Sequence, residues 1–337
     1  MKHGANIYKY AKKLKCSSDE IVDFSSNINL YNPKIEIKLT NKMLVNYADN
    51  SYKDLKKIIS KNYDIKSSQM ALFNGASSAI FELFHPKGTQ KTLKEKRVYL
   101  YAPLYGEYEK AIQKDVKIIK INRFNSLQDE PKKNSVVVFV NPSTPDGKYY
   151  DLEKLFKLWK KKNCTIVLDE SFLEFENLKS LRNQINNYKK LYIIQSFSKF
   201  NSCAGVRIGA IFSHKSNIKK LKTPLWNLSS FDVKFLQKRL KDENFKKISK
   251  ALHVEQKKEL YEILKDSKLF SKIYNSDSNF YLVKTKKAKQ IFEALLKKKI
   301  LVRTCDSFDF LGKNHLRFGV KNTNKHKKLK KALNGLR

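Results

Sequence analysis

The sequence predicts an open α/β sheet with its site along one edge, and three observations carry that expectation. Short, mostly apolar runs at 98–101, 135–140, 164–168 and 191–194 alternate with stretches of helical periodicity. Polar residues gather where those runs end, at 102–106, 141–147, 169–170 and 195–199. Strands that alternate with helices and keep their polar residues at their C-terminal ends place a binding crevice there. The sequence also lacks Gly-x-Gly-x-x-Gly and Walker patterns, so neither a dinucleotide nor a nucleoside triphosphate is the expected ligand.

The chain has 337 residues, enough for one large domain and a smaller one. Hydrophobic residues make up 41%, which is sufficient for a globular core. No run reaches the ~18 to 20 apolar residues of a membrane span. The start, Met-Lys-His-Gly-Ala-Asn, carries no apolar signal segment, so a cytoplasmic location is expected. Cys16, Cys164, Cys203 and Cys305 are widely spaced, which favours free thiols over disulfides or zinc.

A net charge of +38 invites a nucleic-acid reading. Two features oppose it. Arginine, the usual reader of bases, occurs at only eight positions. The lysines are spread over polar helix faces and form no single block. A pull on small anionic substrates fits this distribution better, and nucleic acid stays the minority expectation.

Along the chain, Ile7 to Leu14 reads as a short amphipathic helix and Asp23 to Leu30 as an extended arm with asparagines on one face. Residues 52–62 form a helix. Gly75 permits a tight turn, after which Ala76, Ser77 and Ser78 begin a helix whose free N–H groups favour an anion; an ordinary Ser cap is the plainer alternative. Tyr105, at a strand's C-terminal end, suits stacking on a planar ring or simple packing. Leu152 to Lys161 is helical. Asp169-Glu170 follows an apolar strand directly, and burying an acid there needs a positive partner. Residues 210–213 form a further strand, and Pro224 to Leu228 leads into a long Lys-rich helical region that runs to about Asp266. The last third, with strands at 279–283 and 300–302 around a helix at 288–298, reads as a small α+β domain. Arg303 and Arg317 each bound a strand, which hints at bidentate anion recognition in a chain that otherwise uses Lys.

Gln195 to Gly209 ties these pieces together. The apolar strand Leu191 to Ile194 opens into a turn where Ser196 and Ser198 flank Lys199, and Arg207 follows among small residues. A lysine at the end of a buried strand is desolvated, which frees its amine to attack a carbonyl. Ser196, Ser198 and Arg207 beside it suit a dianion. An aldehyde carrying a phosphate answers both requirements, and pyridoxal phosphate is such a compound. The alternative is a strand–turn–strand with a solvated lysine, and this segment alone leaves both open.

Set side by side, these motifs resemble fold-type I pyridoxal-phosphate enzymes of the class I/II aminotransferase superfamily, nearly end to end. The resemblance implies a large domain built on a mixed, mostly parallel sheet between helices, plus a small α+β domain. It divides the chain into an N-terminal arm at 1–45, a large cofactor domain at 46–225, a connecting helical region at 226–266 and a small domain at 267–337. By that resemblance Lys199 is the Schiff-base lysine and Asp169 the partner of the pyridine nitrogen. Ala76, Ser77, Ser196, Ser198 and Arg207 hold the cofactor phosphate, and Tyr105 stacks on the ring. Tyr47 would reach the phosphate in a neighbouring subunit, which implies a homodimer with shared sites.

Within the superfamily the chain looks like the branch of threonine-phosphate decarboxylase and histidinol-phosphate aminotransferase. His3-Gly4-x-Asn6, Asp23-Phe-Ser-x-Asn-Ile-Asn29, Asp169-Glu-Ser-Phe172 and Arg303-x-Cys-x-x-Phe308 before Arg317 lean toward the decarboxylase. That similarity implies that Arg317 holds the substrate carboxylate, and that Arg303, His3 and Asn29 hold the substrate's own phosphate. Two positions depart from the superfamily's usual pattern. Thr144 stands where its Asn-Pro-x-Gly asparagine donates to the cofactor's O3′, and Phe172 where most aminotransferases have a tyrosine. Fewer donors to that oxygen are therefore expected. The reaction expected first is decarboxylation of threonine phosphate or serine phosphate, and second transamination of the histidinol-phosphate type. Outside the enzyme class, the rival is a basic nucleic-acid-binding protein that retains the fold.

Overall fold

The computed structural model describes Gly4, residues 6–84 and residues 97–336. The chain opens with α1 (Ile7–Leu14), whose Asn6 side chain caps Lys9 N, and then the short strand β1 (Val22–Asp23). After α2 (Asn41–Val45) and α3 (Lys53–Tyr63) comes the large sheet. Its strands are β2 (Met70–Asn74), β3 (Arg97–Ala102), β4 (Lys117–Asn122), β5 (Val136–Val140), β6 (Thr165–Asp169), β7 (Leu191–Ser196) and β8 (Ile208–Ser213). They lie in the order β2-β8-β7-β6-β5-β3-β4, parallel except that β8 runs against both neighbours. The α/β expectation is met, with the mixed, mostly parallel sheet that the resemblance implied.

Strands β5 to β8 are buried along their whole length because apolar layers cover both faces. One layer packs α3 and α6 (Glu153–Lys161) through Leu55, Ile59 and Trp159; the other packs α4 (Gly75–Phe84) through Ala79, Ile80 and Leu83. Trp159 is wholly buried yet satisfied, since its indole N–H donates to Tyr101 Oη at 2.9 Å.

Beyond α5 (Glu107–Ala111) and α7 (Lys215–Ile218), the Lys-rich region is two helices, α8 (Ser230–Lys241) and α9 (Glu243–Asp266). The break falls at Asp242, whose carboxylate caps Phe245 N and favours an extended residue over a continued helix. The small sheet follows: β9 (Lys272–Ile273), β10 (Phe280–Lys284), β12 (Arg303–Thr304) and β13 (His315–Gly319), ordered β12-β13-β10-β9 and antiparallel throughout. Helices α10 (Ala288–Lys297) and α11 (Thr323–Asn334) pack on it, and β11 (Ile300–Leu301) pairs with β1 of the N-terminal arm. Two strands of the large sheet lie outside the expected runs: β2, which ends at the turn before α4, and the amphipathic edge strand β4, which has no continuous apolar run. Among the described residues, no helix is long and apolar enough to cross a membrane.

Candidate active site

A cavity of about 390 Å3 opens at the C-terminal ends of the parallel strands, between the large sheet and the small sheet. Ala76, Ser77, Tyr105, Thr144, Asp169, Ser196, Ser198, Lys199, Arg207, Arg303 and Arg317 all line it. Residues scattered over 240 positions of sequence thus meet because each follows a strand end or sits on a short strand facing the crevice.

One end of the cavity is built by close backbone contact. Gly209 on β8 lies against the start of α4 so tightly that a Cβ there would stand 2.4 Å from Ala76 N. Gly75 has φ +79°, and a Cβ on it would meet Arg207 Nη2 at 2.5 Å. The two glycines therefore bring a helix N-terminus, the hydroxyls of Ser196 and Ser198 and the Arg207 guanidinium to one spot. Ser77 Oγ lies 3.3 Å from Tyr105 Oη, which fixes the half-buried phenol ring beside the same place.

Asp169 closes β6 and lines the same cavity with its carboxylate buried. Oδ1 accepts from Ser171 N at 2.9 Å, and Oδ2 accepts from Tyr108 Oη at 2.9 Å. Burial and the facing carboxylate hold the Tyr108 phenol well above its ordinary pKa, so it stays a donor. Tyr108 was missed in the sequence because it lies inside α5 as an ordinary apolar-face residue.

Lys199 lines the same cavity, with Nζ 4.2 Å from the centroid of the Phe172 ring. Burial lowers its pKa; Asp169 opposes the shift, and the positive charges of Arg317 and Arg207 add to it. Its loop is anchored from the N-terminal arm, since Asn29 N donates to Lys199 O at 2.9 Å and Ser202 Oγ donates to Asn29 O at 3.1 Å.

The small sheet supplies the remaining wall. Arg303 on β12 and Arg317 on β13 are direct partners in antiparallel register, so their side chains share one face, and both line the cavity. Arg317 Nη1 donates to Thr144 Oγ1 at 3.1 Å and Nη2 to Ser25 O at 3.3 Å, while its Nε has no partner among the described residues. Burial first, with Arg303 assisting, pulls Arg317 down to about 10. Arg303 Nη2 donates to Ser307 Oγ at 2.8 Å. Thr144 is itself held from behind: buried Arg123 donates to Thr144 O at 3.1 Å and is paired with Asp146 two residues on.

Two expected residues are not in the cavity, and a third falls outside the described residues. Asn29 is a correction: its amide donates to Phe200 O at 2.7 Å and Ser249 Oγ at 2.9 Å, so it braces the arm and has no donor left for a substrate. Asn27 lines the cavity instead, with a buried Oδ1 that has no partner among the described residues. The arm is irregular here, so the two-residue alternation that put the asparagines on one face does not hold. Tyr47 is 75% exposed and stacks on Trp226 with ring centroids 4.4 Å apart, away from this chain's own cavity. His3 lies outside the described residues.

A ring bearing an aldehyde and a phosphate fits what is present. The glycine-backed helix start suits a dianion, and a buried carboxylate and a desolvated amine line the same cavity. The comparisons with known proteins agree. Residues 19–336 match the family described as aminotransferase class I and II. The adenosylcobalamin biosynthesis bifunctional protein CobDQ of Leptospira interrogans is 30% identical over 99% of this chain, although the match spans only 41% of that longer protein. A histidinol-phosphate aminotransferase of Francisella philomiragia is 27% identical, over 98% of this chain and 92% of its own. Among solved structures, the histidinol-phosphate aminotransferase of Clostridium acetobutylicum superposes with a TM-score of 0.79 at 26% identity, covering 94% of this chain and 99% of its own. The L-threonine-O-3-phosphate decarboxylase of Porphyromonas gingivalis gives 0.78 at 18% identity, with the same coverages. The chain belongs to the class I and II aminotransferase family, as a pyridoxal-phosphate-dependent enzyme of fold type I.

Proposed function

We propose that the protein decarboxylates an O-phospho amino acid, threonine phosphate or serine phosphate, to an amino-alcohol phosphate. The observation that carries this is the cross-strand pair Arg303 and Arg317 on one wall of the cavity. Such a pair suits a substrate with an anion at each end, and guanidinium forks match both carboxylate and phosphate. In this reading Arg317 holds the α-carboxylate and Arg303 the substrate phosphate. Ala76, Ser77, Ser196, Ser198 and Arg207 hold the cofactor phosphate, Tyr105 stacks on its ring, and Thr144 stands by its hydroxyl oxygen. When bound, the cofactor supplies an electron sink for the pair left at Cα.

The protein's own residues do the rest. Asp169, its oxygens held by Tyr108 Oη and Ser171 N, would hold a proton on the ring nitrogen. Lys199 carries the amine that meets the aldehyde, and later holds or moves a proton at Nζ. By holding the two anions of the substrate, the two arginines would orient its Cα and so decide which bond there breaks.

A histidinol-phosphate-type aminotransferase is the second reading, favoured by the relatives of that name. Against it, histidinol phosphate brings one anion, and in that half-reaction Arg317 would meet no carboxylate in a buried setting. The test is incubation with serine phosphate, threonine phosphate, and histidinol phosphate plus 2-oxoglutarate. Carbon dioxide released from a phospho amino acid supports the first reading; glutamate formed from 2-oxoglutarate supports the second. Salt-steep binding of nucleic acid by a protein that takes up no cofactor would overturn both.

The same reading includes a homodimer. Leu44, Val45, Tyr47, Leu225 and Trp226 are all exposed, and Tyr47 and Trp226 form one stacked apolar spot that a second copy would cover. Sedimentation equilibrium of the protein and its Trp226→Glu variant checks this. A cytoplasmic location belongs to the proposal too, and cell fractionation tests it.

A further inference from the structure

A second, smaller cavity, of about 60 Å3, shares the loop that carries Lys199. Phe200 and Asn201 line it, together with Tyr63, Glu174, Arg182, Arg239, Asp242 and Lys246. Its polar groups are incompletely paired. Arg239 is 1% exposed; Nη2 donates to Pro33 O at 3.2 Å, while Nε and Nη1 have no partner among the described residues. The Phe245 ring lies against that guanidinium, 4.0 Å from centroid to Cζ, and covers its face. Only its donor-bearing edge is left to meet a ligand. Arg182 Nη1 is also unpartnered, since Glu170 Oε2 and Glu174 Oε1 both stand 3.9 Å away, too far for a hydrogen bond.

Buried guanidinium donors without acceptors are costly, and an anion satisfies them with charge-assisted bonds. Size limits the choice. A water needs roughly 10–15 Å3 of such space, so there is room for one small ion with a few waters. We propose that this cavity is a second binding site, for a small monovalent anion of the halide or nitrate class, that braces the loop carrying Lys199. The bracing runs through Asn201, whose Nδ2 donates to Phe197 O at 3.0 Å across the lysine turn.

Glu174 couples the site to protons. Its Oε2 accepts from Tyr63 Oη on α3 and from Gln195 Nε2 on β7, and its Oε1 is unpartnered. Arg182, Glu170, Lys246 and Lys250 are the other charged groups that face it. Burial raises its carboxyl to about 7, against the pull of Arg182. An anion therefore meets a neutral Glu174 below that pH and a carboxylate above it.

The test uses the cofactor-loaded protein in chloride against gluconate at constant ionic strength. Chloride is expected to raise Tm saturably, with an apparent Kd roughly tenfold weaker at pH 8 than at pH 6, following the protonated fraction of Glu174. Glu174→Gln should keep the chloride effect and lose its pH dependence. Arg239→Met should lose the effect while keeping the cofactor's absorbance. Should that variant fail to fold, bromide soaked into crystals of the unsubstituted protein decides. An anomalous peak beside Arg239 Nε supports the site. Water alone in that cavity, or a chloride effect unchanged in Arg239→Met, overturns it. The site is independent of the reaction proposed above, so its failure leaves that reading intact.

Discussion

Arg317 Nη1 donates to Thr144 Oγ1 at 3.1 Å, so the 141–147 loop that follows β5 holds the buried arginine of the small sheet. The contact crosses between the two sheets at the cavity wall, and it makes the loop and the anion anchor one unit. Thr144→Val removes the acceptor and leaves a buried guanidinium short of a partner. An unmet donor of that kind costs about 1–3 kcal/mol of stability, and a guanidinium no longer held in place meets a carboxylate less well, so KM for the carboxylate substrate should rise. Unchanged KM would mean that Arg317 does not hold the carboxylate.

Thr144→Asn restores the family's amide. Its oxygen can accept from Arg317 while its nitrogen donates toward the cofactor's ring oxygen. A ring oxygen with an added donor is less basic and releases the neighbouring proton more readily. The pH midpoint of the bound cofactor's absorption change should therefore fall. A midpoint that stays in place refutes the view that this enzyme is short of donors there.

Tyr108→Phe deletes one of the two donors on Asp169 and leaves Ser171 N. Groups that orient a reacting residue through one hydrogen bond are worth roughly 10–100-fold, and the loss should fall on kcat, with KM little changed. The absorption spectrum of the bound cofactor should shift as well. Loss of stability with an unaltered spectrum would assign Tyr108 a packing role only.

Gly209→Ala tests the phosphate cradle. Gly209 sits in an ordinary strand conformation, so alanine is not strained by backbone angle; its methyl carbon would stand 2.4 Å from Ala76 N. Forcing an extra carbon into such a contact costs about 1–3 kcal/mol. Cofactor affinity should drop about 10- to 100-fold while the apoprotein still folds, as equilibrium dialysis and circular dichroism would report.

Glu174 gives a pH dependence with a fixed sign. Its folded pKa of about 7 lies above the ordinary 4.5, so the unfolded chain loses this proton first as pH rises. Stability then falls between about pH 4.5 and 7 and levels off above, a total of up to about 3 kcal/mol. Glu174→Gln should raise Tm at pH 8 and have little effect near pH 4. Stabilisation of equal size at both pH values contradicts this origin.

Much of this was legible in the sequence because it depends on local order. Apolar runs ended by polar residues marked β3, β5, β6 and β7, and each such end proved to line the cavity with Tyr105, Thr144, Asp169 or Ser196. What depends on three-dimensional contact was not legible. Nothing in the spacing of 303 and 317 tells that the two arginines are register partners across a hairpin-like pair. Asn27 and Asn29 look equivalent in an extended arm; which one faces the cavity follows from the bonds Asn29 makes to Phe200 and Ser249, far away in sequence. Tyr108 reads as core packing until Asp169 is placed above it. The cluster of Glu174, Arg182 and Arg239 joins three separate elements, and no motif announces it.

The central claim is that one amine, Lys199 Nζ, holds the cofactor's aldehyde. Borohydride reduction of the purified protein followed by peptide mapping measures this directly. A pyridoxyl group on the peptide that contains Lys199, absent in Lys199→Ala, is the expected result. A pyridoxyl group on another lysine, or none on any, would contradict it.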